Sequence, residues 1–599
     1  MTTRQAWYDV SIALTDVAMG RSPADLVIQN GRWVNVFTRE IIAQTDVAVV
    51  RGRIAYVGPD ANYCIGPYTK VIDAQDRYIL PGLLDAHMHV ESSMMTITEY
   101  VRAVIPHGTT GIFADPHEIA NVFGMKGVRL MVDEASLMPI NVFIQMPSCV
   151  PSAPGLENSG SHIGPEDVAE AMSWPGVIGL GEMMNFPGVY RGDPDMHGEL
   201  EATMRANKTI GGHYASPDLG KPFHAYVAGG AADDHEGTRE IDAIERARRG
   251  MSPMLRLGSA WYDVEAQITA VTQRGLDPRQ FILCTDDAHA GTLFNEGHMD
   301  RVLRHAVSLG LDPVIAIQMM TLNAAQHFGV DRDMGSIAPG RYADIVLASD
   351  LNEFSADMVI SNGEVVAEDG KLLIDLPPYT YPPEVMQSVK LGRPLTADDF
   401  HVWVDARSQQ VQAHVIGVIE NQAPTRHLTM TLPVANGEVF PDLDQDVARV
   451  ALVERHRATG EVVNCFVQGF RLNVPCAIAA TVAHDSHHML VVGTNPADMA
   501  QAANTLAQVG GGVVVIREGQ QIALVELPIA GLMSPERVEV VARKSARMVE
   551  AMRECGCTLH NAYMQLSLLA LVVIPELRIS DLGLVDVTKF KHIPVVEGV

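Results

Sequence analysis

The spacing His87-Met88-His89, closing an apolar run that begins at Tyr78, is the pattern in this chain best suited to chemistry. In an extended strand residues i and i+2 project from one face, so the two imidazoles stand side by side. Neutral imidazole binds Zn, Fe, Ni and Cu and accepts Mn. Two ligands do not complete a site. Further ionisable residues end later apolar runs: Glu182 after Val177-Ile-Gly-Leu-Gly, His213 after Thr209-Ile-Gly-Gly, His235 beside Asp234, and Asp286 after Phe281-Ile-Leu-Cys-Thr. A lone histidine more often satisfies local hydrogen bonds than it ligates. Four histidines, a glutamate and an aspartate at matching strand ends suit two divalent ions sharing a carboxylate. Two such ions about 3.5–4 Å apart lower the pKa of a water between them toward neutrality.

The elements that must position these groups are legible as alternating strand and helix signals across residues 81–335. Strand-like runs end at His89, Asp115, Met146, Glu182, His213, near Asp234, near Leu257 and at Asp286, which makes eight. Stretches such as Met299–Leu309 are helical in pattern. The fold class expected is α/β, a (β/α)8 barrel, whose active sites gather at the C-terminal ends of the strands. Residues 1–80 read as short strands, with hairpins expected at Asn30-Gly31 and after Val47-Ala-Val-Val. Ala24-Asp-Leu-Val-Ile-Gln-Asn-Gly31 is echoed by Ala356-Asp-Met-Val-Ile-Ser-Asn-Gly363. The economical reading is one small β-sandwich built from 1–80 and 336–378 and interrupted by the barrel, against two unrelated hairpins. The proline-rich stretch 377–383 reads as a linker. Residues 385–599 read as a separate α+β domain, with a helical pattern from Pro535 to Cys555.

Composition narrows the class of protein. At 599 residues and 47% hydrophobic the chain can bury several cores, yet it has no uncharged apolar stretch able to span a bilayer. Its N-terminus lacks the basic start and apolar core of a signal peptide. Seven scattered cysteines form no disulfide framework, which implies a reduced, cytoplasmic setting and no membrane association. A net charge of −28 argues against a nucleic-acid partner. Lys221 and Arg256 are the only evident basic residues near the strand ends, so a phosphorylated substrate would meet repulsion there.

Pro81-Gly-Leu-Leu-Asp-Ala-His-Met-His, Cys284-Thr-Asp-Asp-Ala-His, Thr321-Leu-Asn-Ala-Ala-Gln-His-Phe-Gly and Gly335-Ser-Ile-Ala-Pro-Gly-Arg-Tyr-Ala-Asp-Ile-Val resemble the amidohydrolase superfamily. His89-Val-Glu-Ser-Ser-Met-Met, Asp115-Pro-His-Glu-Ile-Ala-Asn, Gly179-Leu-Gly-Glu-Met-Met-Asn and Ile574-Pro-Glu-Leu-Arg-Ile-Ser-Asp are similar, more narrowly, to the bacterial adenine deaminase family, over nearly the whole chain. The resemblance implies a pair of divalent ions, Mn, Fe or Zn. It places His87, His89 and Asp286 on one ion and His213 and His235 on the other, with Glu182 bridging where many relatives use a carboxylated lysine. It further implies hydrolytic deamination of adenine to hypoxanthine and ammonia, a metal-bridging hydroxide attacking C6 and Asp286 relaying the proton. Strand alternation allows only one of Asp286 and Asp287 to face the axis, and the register favours Asp286.

Glu91, Asp115, His117 and Glu118 follow the first two strands and have two readings, support for the ligands or contact with the purine or an additional metal. His484-Asp-Ser-His-His488 is divided between lining the barrel mouth and structural hydrogen bonding. Gly510-Gly-Gly512 lacks the following Lys-Ser/Thr of a phosphate loop. Alternatives to adenine deamination are another aminopurine, a cyclic or N-acylated amide, or a scaffold that lost its chemistry. The last would be missing ligand residues, and none of the six is missing. A homodimer is the expected assembly.

Overall fold

Each apolar run that ends near a candidate ligand forms a strand in the computed structural model, which describes residues 4–405 and 409–598. Residues 1–3, part of the N-terminal stretch read for a leader, lie outside them. The barrel strands are Leu83–Met88, Thr109–Ala114, Asn141–Met146, Val177–Met183, Thr209–Gly212, Asp233–Asp234, Ser252–Arg256 and Ile282–Cys284. Parallel pairing runs from the first to the fifth and from the sixth to the eighth. Backbone bonds close the circle, from Ala232 N to Ile210 O at 2.9 Å and from Asp286 N to His87 O at 3.0 Å. A strand buried on both faces needs a continuous apolar run, and Leu83–Met88 and Thr109–Ala114 are buried at every position. Leu84, Ala86, Phe113, Met254, Ile282 and Cys284 pack the interior on the N-terminal side of the ligands.

Strands from both flanks of the barrel share one nine-stranded sheet. Tyr78–Pro81 pairs antiparallel with Ile345–Ala348 and parallel with Leu26–Asn35. One face gathers Leu26, Ile28, Val47, Ile345, Leu347 and Ile360 into a core. The other is covered by a helix, Trp7–Ala18, which buries Val10, Leu14 and Val17 against Val27, Ala48 and Val50. A strand reading of the first residues overlooks that helical stripe.

The hairpin expected at Asn30-Gly31 is absent: both residues lie inside the single strand Leu26–Asn35. Asn30 has φ 59°, and the register against Glu40–Val50 shifts between Ile28, Gly31 and Trp33, which makes a bulge. A Cβ on Gly31 would lie 2.3 Å from Ile79 Cδ1, so close packing requires this glycine. Asn362-Gly363, its echo, does form a tight turn, with φ 52° and 80°. The linker is pinned: Tyr381 is buried, and its hydroxyl donates to Glu134 Oε2 at 2.6 Å.

Beyond it lie a ten-stranded and a three-stranded sheet, with helices Pro496–Val509 and Val538–Glu554. Three connections of this region reach the barrel mouth. One carries Ala423, between Gln410–Val418 and Thr425–Ala435. A second, residues 481–488, joins Cys476–Ala480 to Met489–Gly493, and the third, residues 568–574, follows Ala562–Ser567. Elsewhere the C-terminal region is tied to the barrel by Asn158, whose N–H donates to Asp581 Oδ1 at 2.8 Å, and by Ser534 N donating to Met94 O at 2.9 Å. No helix among the described residues is long and apolar enough to cross a membrane.

Candidate active site

The six residues chosen from strand ends converge on one buried cluster. Glu182 divides its carboxylate between two sets of histidines. Its Oε1 lies 3.3 Å from His89 Nε2, while Oε2 is 2.6 Å from His213 Nδ1 and 3.1 Å from His235 Nε2. Asp286 Oδ1 stands 3.4 Å from His89 Nε2 and 3.8 Å from His87 Nε2. The His87 and His235 rings stack with centroids 4.0 Å apart. Strand backbone fixes the orientation: His89 Nδ1 is 3.0 Å from the Asp115 carbonyl, leaving Nε2 to face inward. His87 Nε2 and His213 Nε2 are buried without a hydrogen-bond partner among the described residues. Buried polar atoms seldom stay unpaired. These orphaned nitrogens, with carboxylate oxygens beside them, fit divalent ions that prefer mixed N/O ligands.

The electrostatics match such a site. Burial, then His235 and His89, hold His87 well below the usual imidazole range, so it presents a free lone pair. Against burial, which would lower it, the Glu182 carboxylate lifts His235 to about 9. Burial would raise Asp286, but the Arg256 guanidinium and the histidines hold its carboxyl well below the ordinary range. Cations bound here would therefore displace protons from imidazoles.

Arg256, at the end of the seventh strand, is the organiser that strand-end reasoning passed over. Its guanidinium meets Asp286 Oδ2 at 2.6 Å, Glu236 Oε1 at 2.5 Å and Asp263 Oδ2 at 2.7 Å. With three carboxylates around it, Arg256 has no spare charge for a phosphate, and Lys221 is exposed at a helix start. Glu236 also stands 3.7 Å from His235 Nε2, a further carboxylate at the histidine cluster. The triplet Asp234-His235-Glu236 held that signal.

Only one of Asp286 and Asp287 was expected to face the axis, and the structure corrects this: both line the cavity. The eighth strand stops at Cys284, and Asp286 takes a left-handed φ of 61°, so alternation no longer applies. Thr285 is anchored from below, its N and Oγ1 donating to Asp85 at 3.1 and 2.5 Å. Asp287 turns the other way and accepts from Trp261 Nε1 at 3.4 Å.

Of the loop quartet, Glu118 reaches the cavity, with Oε2 3.5 Å from His89 Nδ1 and Oε1 3.4 Å from His484 Nδ1. Asp115 sits behind Glu182 and accepts its N–H at 2.9 Å. Glu91 accepts from Ile119 N at 3.2 Å, and His117 lies 3.7 Å from Asp115, both away from the cavity lining. Glu118, His484 and His487 come close enough to suggest a metal. However, His487 Nδ1 accepts from Ala483 N at 3.2 Å, which leaves the proton on Nε2, the nitrogen that would have to ligate. From the C-terminal region His484 and Asp485 line the cavity, together with Ala423, Leu568, Leu571 and Ile574. Of these apolar residues only Ile574 falls in a motif marked in the sequence; no local pattern marks Ala423, Leu568 or Leu571.

An eight-stranded parallel barrel with histidines and carboxylates gathered at its strand ends is the architecture of the metal-dependent amidohydrolases, and residues 78–366 match the Amidohydrolase family. Residues 422–591 match the Adenine deaminase C-terminal domain. Among curated proteins, Adenine deaminase 3 of Rhizobium meliloti is 62% identical over 592 residues, 99% of each chain. Adenine deaminase of a Ruegeria species is 62% identical over 595 residues, again 99% of each. That of Moorella thermoacetica is 51% identical over 598 residues and the whole of both chains. The chain belongs to the adenine deaminase family.

Proposed function

We infer that this protein hydrolyses adenine to hypoxanthine and ammonia. One observation carries the inference beyond the superfamily. Every cavity residue outside the barrel, from Ala423 through His484 and Asp485 to Leu568, Leu571 and Ile574, falls within the segment matched to the Adenine deaminase C-terminal domain. The part of the chain particular to this family therefore forms a wall of the site.

Two divalent ions, of Mn, Fe or Zn, would be held by His87, His89 and Asp286 and by His213 and His235, with Glu182 shared; they would supply an acidified water at neutral pH. The remaining work belongs to the chain. Water adds to C6 of the purine, and Asp286 accepts a proton from it and returns it to the amino group, which leaves as ammonia. Arg256 keeps Asp286 ionised and aimed until that transfer. The ring nitrogen next to C6 gains a proton as the water adds. Asp485, which lines the cavity, has a carboxylate oxygen without a partner among the described residues and is pushed up by burial to about 6, stands ready to donate it and regains a proton from the hydroxyl at C6 as ammonia leaves.

Absorbance change and ammonia release from adenine, adenosine, AMP and an N-acetylated sugar test this reading on metal-loaded enzyme. Adenine turnover with AMP inert is expected, since the only guanidinium lining the cavity among the described residues is already paired. Preference for the N-acetylated sugar would overturn it.

A further inference from the structure

Two arginines of the C-terminal region are fully buried with no carboxylate partner among the described residues. Arg455 donates to the backbone oxygens of His487, Thr481 and Ala530 and to Ser388 Oγ. It thereby ties the loop bearing His484 and Asp485. Arg578, on the strand Leu577–Ser580, has a more selective set of acceptors. Its Nη1 donates to Leu568 O at 2.7 Å, its Nε to Ile574 O at 2.9 Å and its Nη2 to Ala423 O at 2.5 Å. These three acceptors are the carbonyls of residues that line the cavity, and a fourth, Pro575 O at 3.4 Å from Nη2, follows Ile574 in the same segment. They come from two segments well separated in sequence, so one guanidinium fixes the backbone of the whole apolar wall. A buried arginine without an anion is costly, and its five donors in a rigid fork suit spanning several carbonyls in a way a lysine cannot match.

We propose that Arg578 is a positioning residue for substrate selection: it holds Ala423, Leu568 and Ile574, with Leu571 between the last two, as a rigid ceiling that admits a free purine base and rejects one substituted at N9. This rests on the reading of the protein as an adenine deaminase. The argument is geometric. C6 must lie against the histidine–carboxylate cluster to react, and N9 sits on the other ring of the bicycle, at the far edge. In a cavity with ligands on one wall and Ala423, Leu568, Leu571 and Ile574 on another, the far edge meets the apolar wall. A ribose there would place hydroxyls against the aliphatic side chains of Leu568, Leu571 and Ile574, leaving buried polar groups unpaired. A wall held by backbone bonds cannot retreat to make room, whereas one held only by side-chain packing could.

Three proteins, metal-loaded and assayed on adenine and adenosine, test the proposal: wild type, Leu571→Ala and Arg578→Lys. Leu571→Ala removes ceiling volume and leaves the clamp intact. The ratio of kcat/KM for adenosine to that for adenine should rise about tenfold or more, within the range that small changes in pocket contacts command. Arg578→Lys loosens the clamp while keeping the charge. It should raise KM for adenine severalfold with less change in kcat, and it should raise the adenosine-to-adenine ratio. A merely structural role would lower the active fraction, hence apparent kcat, with KM and the ratio unchanged. An unchanged ratio and KM in Arg578→Lys, with wild type active on adenine, would overturn the proposal, as would an unchanged ratio in Leu571→Ala. Wild type inactive on adenine would instead overturn the function on which it rests.

Discussion

The two walls of the cavity are made of different materials. On the barrel side, ionisable side chains project from the ends of parallel strands, and Arg256 is satisfied by carboxylates at 2.5 to 2.7 Å. On the C-terminal side, aliphatic side chains face the cavity, and Arg578 is satisfied by main-chain carbonyls alone. The contrast separates two tasks. In the proposed reading, charged groups on rigid strands hold cations and move protons, while a neutral ceiling excludes water and whatever does not fit beneath it. The same residue type serves both walls, and its acceptors decide which task it performs.

Chelation strikes only the barrel wall and should have the largest effect. Activity should vanish, and titration back with Mn, Fe or Zn should restore it in proportion up to two equivalents per chain. Full activity at one equivalent, measured by elemental analysis beside turnover, would contradict a shared Glu182.

Within that wall, Asp286→Asn should lower kcat by about 10²–10⁴-fold, the usual contribution of a positioned proton carrier, with metal loss adding to it. Asp287→Asn, which touches the cavity but not Arg256, should cost about ten- to a hundredfold in kcat/KM, the worth of one hydrogen bond to a charged group. Steady-state kinetics with equal or inverted effects would mean that the roles of the pair are exchanged.

The two arginines allow a direct comparison of the walls. Arg256→Met leaves Asp286 and Glu236 buried, and Asp263 half-buried, without their cation, and breaking a buried ion pair costs about 3–5 kcal/mol. Denaturant unfolding should show that loss in metal-free protein and a smaller one once cations neutralise Asp286. A loss of equal size with and without metal would mean that Arg256 is structural and not tied to the site.

The smallest effect is expected from a buried carboxyl that belongs to neither wall. The carboxyl of Glu199, on the helix Pro194–Arg205, is buried with neither oxygen within hydrogen-bond distance of a partner among the described residues, and burial pushes it from its ordinary 4.5 up to about 8. The folded state thus binds more protons than the unfolded one between those values. The stability Glu199 contributes is full below 4.5 and lost as pH rises toward 8. Glu199→Gln should therefore gain stability relative to wild type across that window, with kcat and KM unmoved. A change in KM would show that the cavity is coupled to the outer helices.

Side-chain spacing made the barrel wall legible. His87 and His89 share a face because strand periodicity is local, and Glu182, His213 and Asp286 follow apolar runs that had to become buried parallel strands. Where the local rule gave way, the reading failed with it. Asn30-Gly31 became a bulge because Thr45 and Ile79 pack across the strand, and Asp287 faced inward because Asp286 adopts a left-handed conformation beyond the strand end.

Taken alone, the sequence determined the number of barrel strands, the residues that gather at their ends and the acid–histidine chemistry available there, since side-chain identity and short-range periodicity carry that information. Tertiary structure alone decided what those residues face. Ala423, Leu568, Leu571 and Ile574 are ordinary apolar residues until folding brings them into one cavity with the histidines. Arg578 is bound to backbone oxygens that every residue possesses. An interaction between a side chain and the main chain leaves no mark on the identity of its partner, so no pattern of letters could announce it.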